Sequence, residues 1–373
     1  MWLSDPAALR ELATVLDRAV IDGFAAGPRL ASAVRQASSA AATGSSADRL
    51  EAERLTSAAW VMYVQALHWP TGGMTFADQS LAPKIPGVDR ILADAASSGS
   101  LARHVASVSN GNPLYAQLRD AALREGLGSP ALTASLGRAR QLPTHGRYIL
   151  VDLASQRLWM MQGGRAVDTM KVIVGKPEMP TPLIAGTISA ATVNPYWNVP
   201  ADLARKNIAP QVLRHGGSYL AAKGYEALSD WSSTATVVDP ATVDWQAVAD
   251  GRATIRLRQK PGPGNMMGRV KFEFPNTQGI YLHDTPDREL FARSQRTFSS
   301  GCVRLEDAGR LGRWLVGREL AATGSRPEQQ IALAVPTPVF ITYLTARVDK
   351  GALTFADDIY GLDRMGSARL AAQ

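Results

Sequence analysis

The feature that most constrains the fold is a change of hydrophobic period near Gly146. Ahead of it, apolar residues recur at helical spacing. Ala8, Leu9, Leu12, Val15 and Leu16 line one face of a helix over 7–16, and Leu55, Ala59, Met62, Tyr63 and Ala66 mark a second amphipathic helix. Trp69-Pro70 followed by Gly72-Gly73 ends that helix, and shorter helical segments are predicted over 88–96, 101–107 and 114–125. The stretch ASSAAATGSSA at 37–47 is small-residue and of low complexity, which predicts a mobile connection.

Past Gly146 the chain turns to strand-forming runs. RYILVDL, a turn at ASQ, RLWMMQ, the two-residue hairpin signal Gly163-Gly164 and RAVDTMKVIVG read as a meander. Further strands are predicted at 185–193, 253–258, 268–274, 279–283 and 336–346, with the Pro/Gly cluster KPGPGN at 260–265 as a break. Residues 202–250 do not alternate cleanly, as expected of an insertion in a sheet domain. The fold class predicted is therefore α+β, with a helical N-terminal part and a mostly-β part that carries the insertion. A length of 373 residues suits about two domains and is enough to bury a proper core.

Composition narrows the function classes. Hydrophobic residues make up 46% and charged residues 20%, which excludes a collagen, a coiled coil or a wholly disordered chain. The net charge of +7 suits nucleic acid, an anionic membrane surface or an anionic polymer such as a cell wall. The basic residues are scattered and form no nucleic-acid signature, so nucleic acid is not an expected partner. No stretch approaches the ~20 apolar residues of a membrane span. The opening MWLSDPAALRELATVL shows no basic segment leading into an apolar one, so no export signal is legible. The single cysteine, Cys302, excludes an intramolecular disulfide and a Cys-cluster metal site.

The chemistry concentrates in residues 279–317. A short apolar strand ends in His283, a polar loop follows, and Ser299-Ser300-Gly301-Cys302-Val303-Arg304 leads into a helical pattern at Leu305, Ala308, Leu311 and Leu315. A free thiol is mostly protonated at neutral pH, and a neighbouring imidazole can take its proton and later pass it to a leaving amine. Small residues before the cysteine let a carbonyl approach and leave N–H groups for a developing oxyanion. On a strand, Arg304 projects to the same face as Cys302, where it could hold a substrate carboxylate. Taken singly, each residue has a structural reading: a buried thiol, a hydrogen-bonded histidine, a surface arginine.

Taken together, His283 and SSGC at 299–302 resemble the signature of the L,D-transpeptidase catalytic domain, the YkuD domain. The sequence is most similar to its YcbB-like branch, through NPYWNVP at 194–200, RQKPGPGNMMGRVKFEFPN at 258–276, YLHDTPDRELF at 281–291, SSGCVRLED at 299–307, IVGKP at 173–177 and DIYGLD at 358–363. The resemblance implies a helical scaffold domain over 1–140 and a catalytic domain over 141–201 and 261–348. It implies a capping subdomain inserted at 202–260 and a C-terminal extension over 349–373. It implies Cys302 as nucleophile, His283 as base oriented by a carbonyl of the HDT turn at Asp284, and oxyanion donors at Gly301 and Cys302. Tyr281, Ser299, Ser300, Arg304, Trp197 and Asn265 are expected around the substrate. Two departures stand out: Ser300 replaces a histidine common in the family, and no segment corresponds to the peptidoglycan-binding module of many YcbB-like scaffolds.

The function implied is a periplasmic peptidoglycan L,D-transpeptidase that joins donor and acceptor stem peptides through a thioester. The product would be a 3-3 link or an L-Ala-to-diaminopimelate 1-3 link. Acylation by carbapenems is implied, and no metal or organic cofactor. The alternative is an L,D-carboxypeptidase or amidase that hydrolyses the same acyl-enzyme.

Overall fold

The structure, a computed structural model, describes residues 1–364 apart from Gly72, Leu127, Gly128 and Ser233. The chain divides into two units. One comprises Met1–Thr169, Pro182–Ala185 and the segment from Phe340 onward; the other comprises Met170–Thr181 and Gly186–Val339. Of the expected C-terminal extension, 365–373 lies outside the described residues.

The first unit opens with helices Pro6–Arg18, Gly27–Thr43 and Ser46–His68. Asp5 caps the first helix by accepting from the Ala7 and Ala8 N–H groups, and Pro6 needs no donor at the first position. The 37–47 stretch is not a mobile connection. The second helix runs through most of it, and a capping box between Ser45 and Asp48 starts the third helix at once. Alanine is the best helix former, and this outweighs the low complexity. Trp2, Leu12, Leu16, Trp60 and Tyr63 are fully buried where these helices meet.

Helices Val88–Ala96, Leu101–Asn110 and Pro113–Glu125 follow, close to their predicted spans. A further helix, Pro130–Arg140, is missing from the sequence reading and buries Leu132, Leu136 and Ala139. Strands Arg147–Asp152 and Arg157–Gln162 pair antiparallel, and Gly163 and Gly164, with φ of 59° and 79°, supply the tight turn into Arg165–Gly175. A hairpin of Ala346–Asp349 and Ala352–Phe355, also absent from the sequence reading, closes the described part of this unit.

The second unit contains the sheet that matters for chemistry. Its strands lie in the order Ile184–Val193, Val270–Glu273, Tyr281–His283, Val303–Leu305 and Arg165–Gly175, with Thr297–Ser299 parallel to the last. Tyr281–His283 pairs antiparallel with Val270–Glu273 and parallel with Val303–Leu305. Leu282 and Val303 are register partners and fully buried on one face. Slipping either strand by one residue would expose that apolar surface, at about 1.5–3 kcal/mol per side chain, so burial fixes the register.

Residues 197–259 hold a separate four-stranded sheet in the order Trp197–Val199, Arg256–Gln259, Tyr225–Leu228 and Val237–Val238. Ala209, Val212, Ala227, Trp245 and Leu257 form a small core with it. These residues lack clean alternation because short helices interrupt the strands.

Candidate active site

The register builds two rows of side chains on one sheet face. His283 partners Arg304 on one side and Lys271 on the other. One step back, Tyr281 lies opposite Glu273, and Cys302 stands just ahead of the strand Val303–Leu305. Alternate residues of a strand share a face, and register partners point the same way. Glu273 and Tyr281 therefore form one row, and Lys271, His283 and Arg304 the next. Sequence spacing alone placed Cys302 with Arg304; the pairing adds His283, Tyr281, Lys271 and Glu273.

His283 is 4% exposed, and its Nδ1 lies 2.5 Å from the Asp284 carbonyl oxygen. A carbonyl only accepts, so Nδ1 carries the proton and Nε2 is left as the basic nitrogen. Burial, then the nearby Arg304 charge, lower the His283 pKa to about 3, against the opposing pull of the Asp284 bond. The imidazole is neutral at physiological pH. Cys302 is partly buried, with its thiol 3.5 Å from the Gly279 carbonyl. Burial pushes its pKa up, and a backbone N–H of Tyr281 and the Arg304 charge pull the other way. Both partners thus rest uncharged, which suits proton transfer from sulfur to Nε2 as the C–S bond forms.

The loop carrying Cys302 is held from several sides. Thr181 Oγ1 accepts from the Gly175 N–H at 2.8 Å and donates to the Gly301 carbonyl at 2.7 Å. Ser299 Oγ donates to the Cys302 carbonyl at 2.6 Å and accepts the Gly301 N–H at 3.2 Å. The buried Arg296 side chain donates to the carbonyls of Val172, Arg293 and Ser294. Gly301 has φ of +116°, a region side-chain-bearing residues rarely adopt. Thr181 and Arg296 carry no motif signal. Their importance rests on which backbone atoms they reach.

Several expectations need correcting on this geometry. The Gly301 N–H is engaged by Ser299, so it is not available to an oxyanion as the loop stands. Ser299 is a buried clamp of the loop and offers no side-chain atom to a ligand, whereas Ser300 is exposed. Asn265 is 1% exposed; its amide donates to the Pro195, Gln259 and Lys260 carbonyls and accepts from the Met267 N–H, so it shapes a loop. Trp197 packs against Tyr225 in the four-stranded sheet, ring centroids 6.2 Å apart. Arg304 shares the row of His283 but already pairs with Asp287 at 2.6 Å. Asp284 presents its carbonyl to His283 as expected, and its carboxylate accepts from the Arg269 N–H and Arg288.

A charged group beside the site escaped sequence reasoning. Lys271 Nζ lies 3.0 Å from Glu273 and 3.3 Å from Glu328, and 5.9 Å from the Tyr281 ring centre. Burial works against this ammonium, but Glu273 and Glu328 outweigh it and raise its pKa. Glu273 and Tyr281 line a cleft of about 330 Å³ with Ala190, Asn276 and Gln330. Among the described residues no three His, Cys, Asp or Glu side chains converge as metal ligands would.

Residues 146–341 match the YkuD family, the L,D-transpeptidase catalytic domain. The chain belongs to that family. Residues 1–121 match a scaffold domain, which agrees with the helical N-terminal part ahead of the YkuD domain. A Haemophilus influenzae relative named "Putative L,D-transpeptidase" is 30% identical over 313 residues. The match covers 80% of this chain and 62% of that relative, so the chain spans less than two thirds of its length. Among solved structures, an L,D-transpeptidase from Mycobacterium smegmatis is 12% identical with a TM-score of 0.27, covering 52% of this chain and 58% of that one. An L,D-transpeptidase, LdtMt1, in complex with imipenem is 11% identical with a TM-score of 0.26, covering 53% and 59%. The YkuD match includes His283, Cys302 and the loop between them.

Proposed function

We propose that this protein is a periplasmic peptidoglycan L,D-transpeptidase of the YcbB-like branch, working through a cysteinyl thioester. The observation that carries this reading is the strand register that sets His283 beside Arg304, two residues after Cys302, in a chain of the YkuD family. The scaffold match and the motif order support the branch, and the family's cell-wall chemistry supports the location. Among the described residues no helix is long and apolar enough to cross a membrane.

In the first step Cys302 Sγ attacks the carbonyl carbon of an L-to-D peptide bond in a stem peptide. The thiol proton passes to His283 Nε2 while Nδ1–H stays on the Asp284 carbonyl. The Cys302 N–H meets the oxyanion. Collapse breaks the C–N bond, the imidazolium gives its proton to the departing amine of the D-residue, and a thioester remains. The amine of a neighbouring stem, the side-chain amine of a diaminopimelate, then attacks the thioester. Its proton returns through Nε2 to sulfur as the C–S bond breaks. Donor cleavage after the third stem residue yields a 3-3 link, and after the first residue a 1-3 link. Water in place of the amine would make the enzyme a carboxypeptidase or amidase.

Incubating the protein with wall sacculi, digesting the glycan and sequencing the muropeptides by mass spectrometry tests the reading. New cross-linked dimers, absent with Cys302→Ala, are expected, and the fragment masses distinguish 3-3 from 1-3. Shortened monomers without dimers would favour the hydrolase. Unchanged muropeptides would remove both. Imipenem should add covalently to the wild type and not to Cys302→Ala.

A further inference from the structure

Residues of the first unit alone enclose a cleft of about 800 Å³ that takes no part in the chemistry above. Its volume falls in the range of small-ligand sites, about 300–1,000 Å³. Helices Ser46–His68, Leu101–Asn110 and Pro130–Arg140 all end at it. A helix leaves its last carbonyls without intrahelical partners, so main-chain acceptors collect there. The walls are tied together: the Asn112 amide donates to the Ala139 and Leu142 carbonyls at 2.8 and 3.1 Å, and its oxygen accepts from the Tyr115 N–H. The cleft is therefore formed before a ligand arrives, which lowers the cost of binding.

The side chains that line it select a ligand class. Trp69 is 53% exposed at the end of the third helix and shares the cleft with Leu81 and Pro83. Arg140 donates to the carbonyls of Asp22 and Trp69, which fixes where Trp69 leaves its helix, and its buried Nε has no acceptor among the described residues. His68 Nδ1 donates to the Val64 carbonyl at 2.9 Å and leaves Nε2 for a ligand. Arg103 is exposed, and its guanidinium has no partner among the described residues. His145 is the fourth basic side chain, and no Asp or Glu lines the cleft among the described residues. A simple anion would make no use of the open indole. A purely apolar ligand would leave arginines and carbonyls unpaired. An acidic sugar uses both, because a pyranose has an apolar C–H face and a rim of hydroxyl and acetamido groups.

We propose that this cleft binds the glycan strand of peptidoglycan, with an N-acetylated sugar ring on Trp69 and a sugar-borne carboxylate on Arg103. The proposal rests on the transpeptidase reading for the identity of the polymer, and it adds a glycan site in the helical N-terminal part. Arg140 is a positioning residue for Trp69, and His68 Nε2 accepts from a ring hydroxyl.

The test uses the full chain carrying Cys302→Ala, so that no turnover intervenes, and titrates two stem-free tetrasaccharides by calorimetry. One alternates N-acetylglucosamine with N-acetylmuramic acid and so carries carboxylates. The other is the uncharged N-acetylglucosamine tetramer. Both should bind, the acidic one more tightly. Trp69→Ala should weaken both by at least about 10-fold, as truncating a central aromatic contact does. Arg103→Glu should remove the preference for the acidic sugar and leave the uncharged one unchanged. Raising salt from about 50 to 500 mM should shrink that preference in the parent only, since screening weakens exposed charge pairs. Should Trp69→Ala lose its cooperative melting curve, Arg103→Glu, at an exposed side chain without a partner, carries the test alone. Folded variants that bind both sugars as the parent does would overturn the proposal, and so would a parent that binds neither. Displacement of the glycan by a sugar-free stem peptide would assign the cleft to peptide and overturn it as well. Wild-type protein that binds the glycan but forms neither an imipenem adduct nor muropeptide dimers would instead overturn the transpeptidase reading and leave the sugar site standing.

Discussion

The hydroxyl of Thr181 donates at 2.7 Å to the carbonyl of Gly301, the residue before Cys302. The same oxygen accepts from the Gly175 N–H, so one side chain ties the IVGKP segment to the SSGC loop. Thr181→Val keeps the shape and removes both bonds. Each buried group left without a partner costs about 1–3 kcal/mol. We expect a lower melting temperature and roughly 10- to 100-fold slower acylation, read by thermal unfolding and by imipenem adduct formation.

The charge states of the resting pair predict the pH profile. With His283 near 3 and the Cys302 thiol raised above its ordinary value, neither titrates between about pH 5 and 8. Acylation should be flat across that window, and a steep limb centred near pH 6.5 would contradict it. Stability follows the same logic. The unfolded histidine takes up its proton near 6.5 and the folded one only near 3, so His283 stabilises the fold above 6.5, and this contribution is lost as the pH falls towards 3. Comparing melting temperatures of wild type and His283→Gln from pH 7 to 4 isolates that component. The wild type should lose more.

Arg304 disfavours the imidazolium and favours the thiolate. Arg304→Met should therefore move the acid limb of acylation upward in pH and raise the thiol pKa. It should also free Asp287 from its 2.6 Å ion pair. Thiol titration by ultraviolet absorbance, with the pH–rate curve, checks both directions. An acid limb that stays in place would argue that Arg304 does not act on His283.

Gly301→Ala forces a methyl group onto a residue at φ +116°, where the added Cβ would also sit 3.4 Å from Ile280. Holding that conformation costs on the order of 1–3 kcal/mol, or else the loop relaxes. At least 10-fold slower acylation is expected, measured on protein whose melting curve remains cooperative.

The chemistry was most legible where it is local. His283, the loop and Cys302 stand within twenty residues, and a strand followed by small residues and a helix pattern is readable from periodicity. The cross-strand neighbours were not readable. Lys271 and Glu273 precede His283 by a turn whose register no sequence pattern sets, and Glu328 comes from much further along the chain. Asn265 and Ser299 were expected around the substrate because they stand in the motifs that carry the family resemblance. Their burial and backbone bonds show that they shape loops. At 37–47 the small residues suggested looseness, yet alanine propensity and the Ser45–Asp48 capping box make helix. The helix Pro130–Arg140 went unseen because its buried residues mix Leu132, Ala134, Leu136 and Ala139 with Ser135, Gly137 and Arg138, which blurs an apolar stripe.

Arg296 places a cation inside the loop that carries Cys302 and commits it to three main-chain carbonyls. None of those acceptors belongs to a ligand. The ordering entropy of this segment is therefore incurred when the polypeptide folds, before any ligand arrives, and binding energy need not be diverted to it. Affinity for a ligand can then track the fit of that ligand alone.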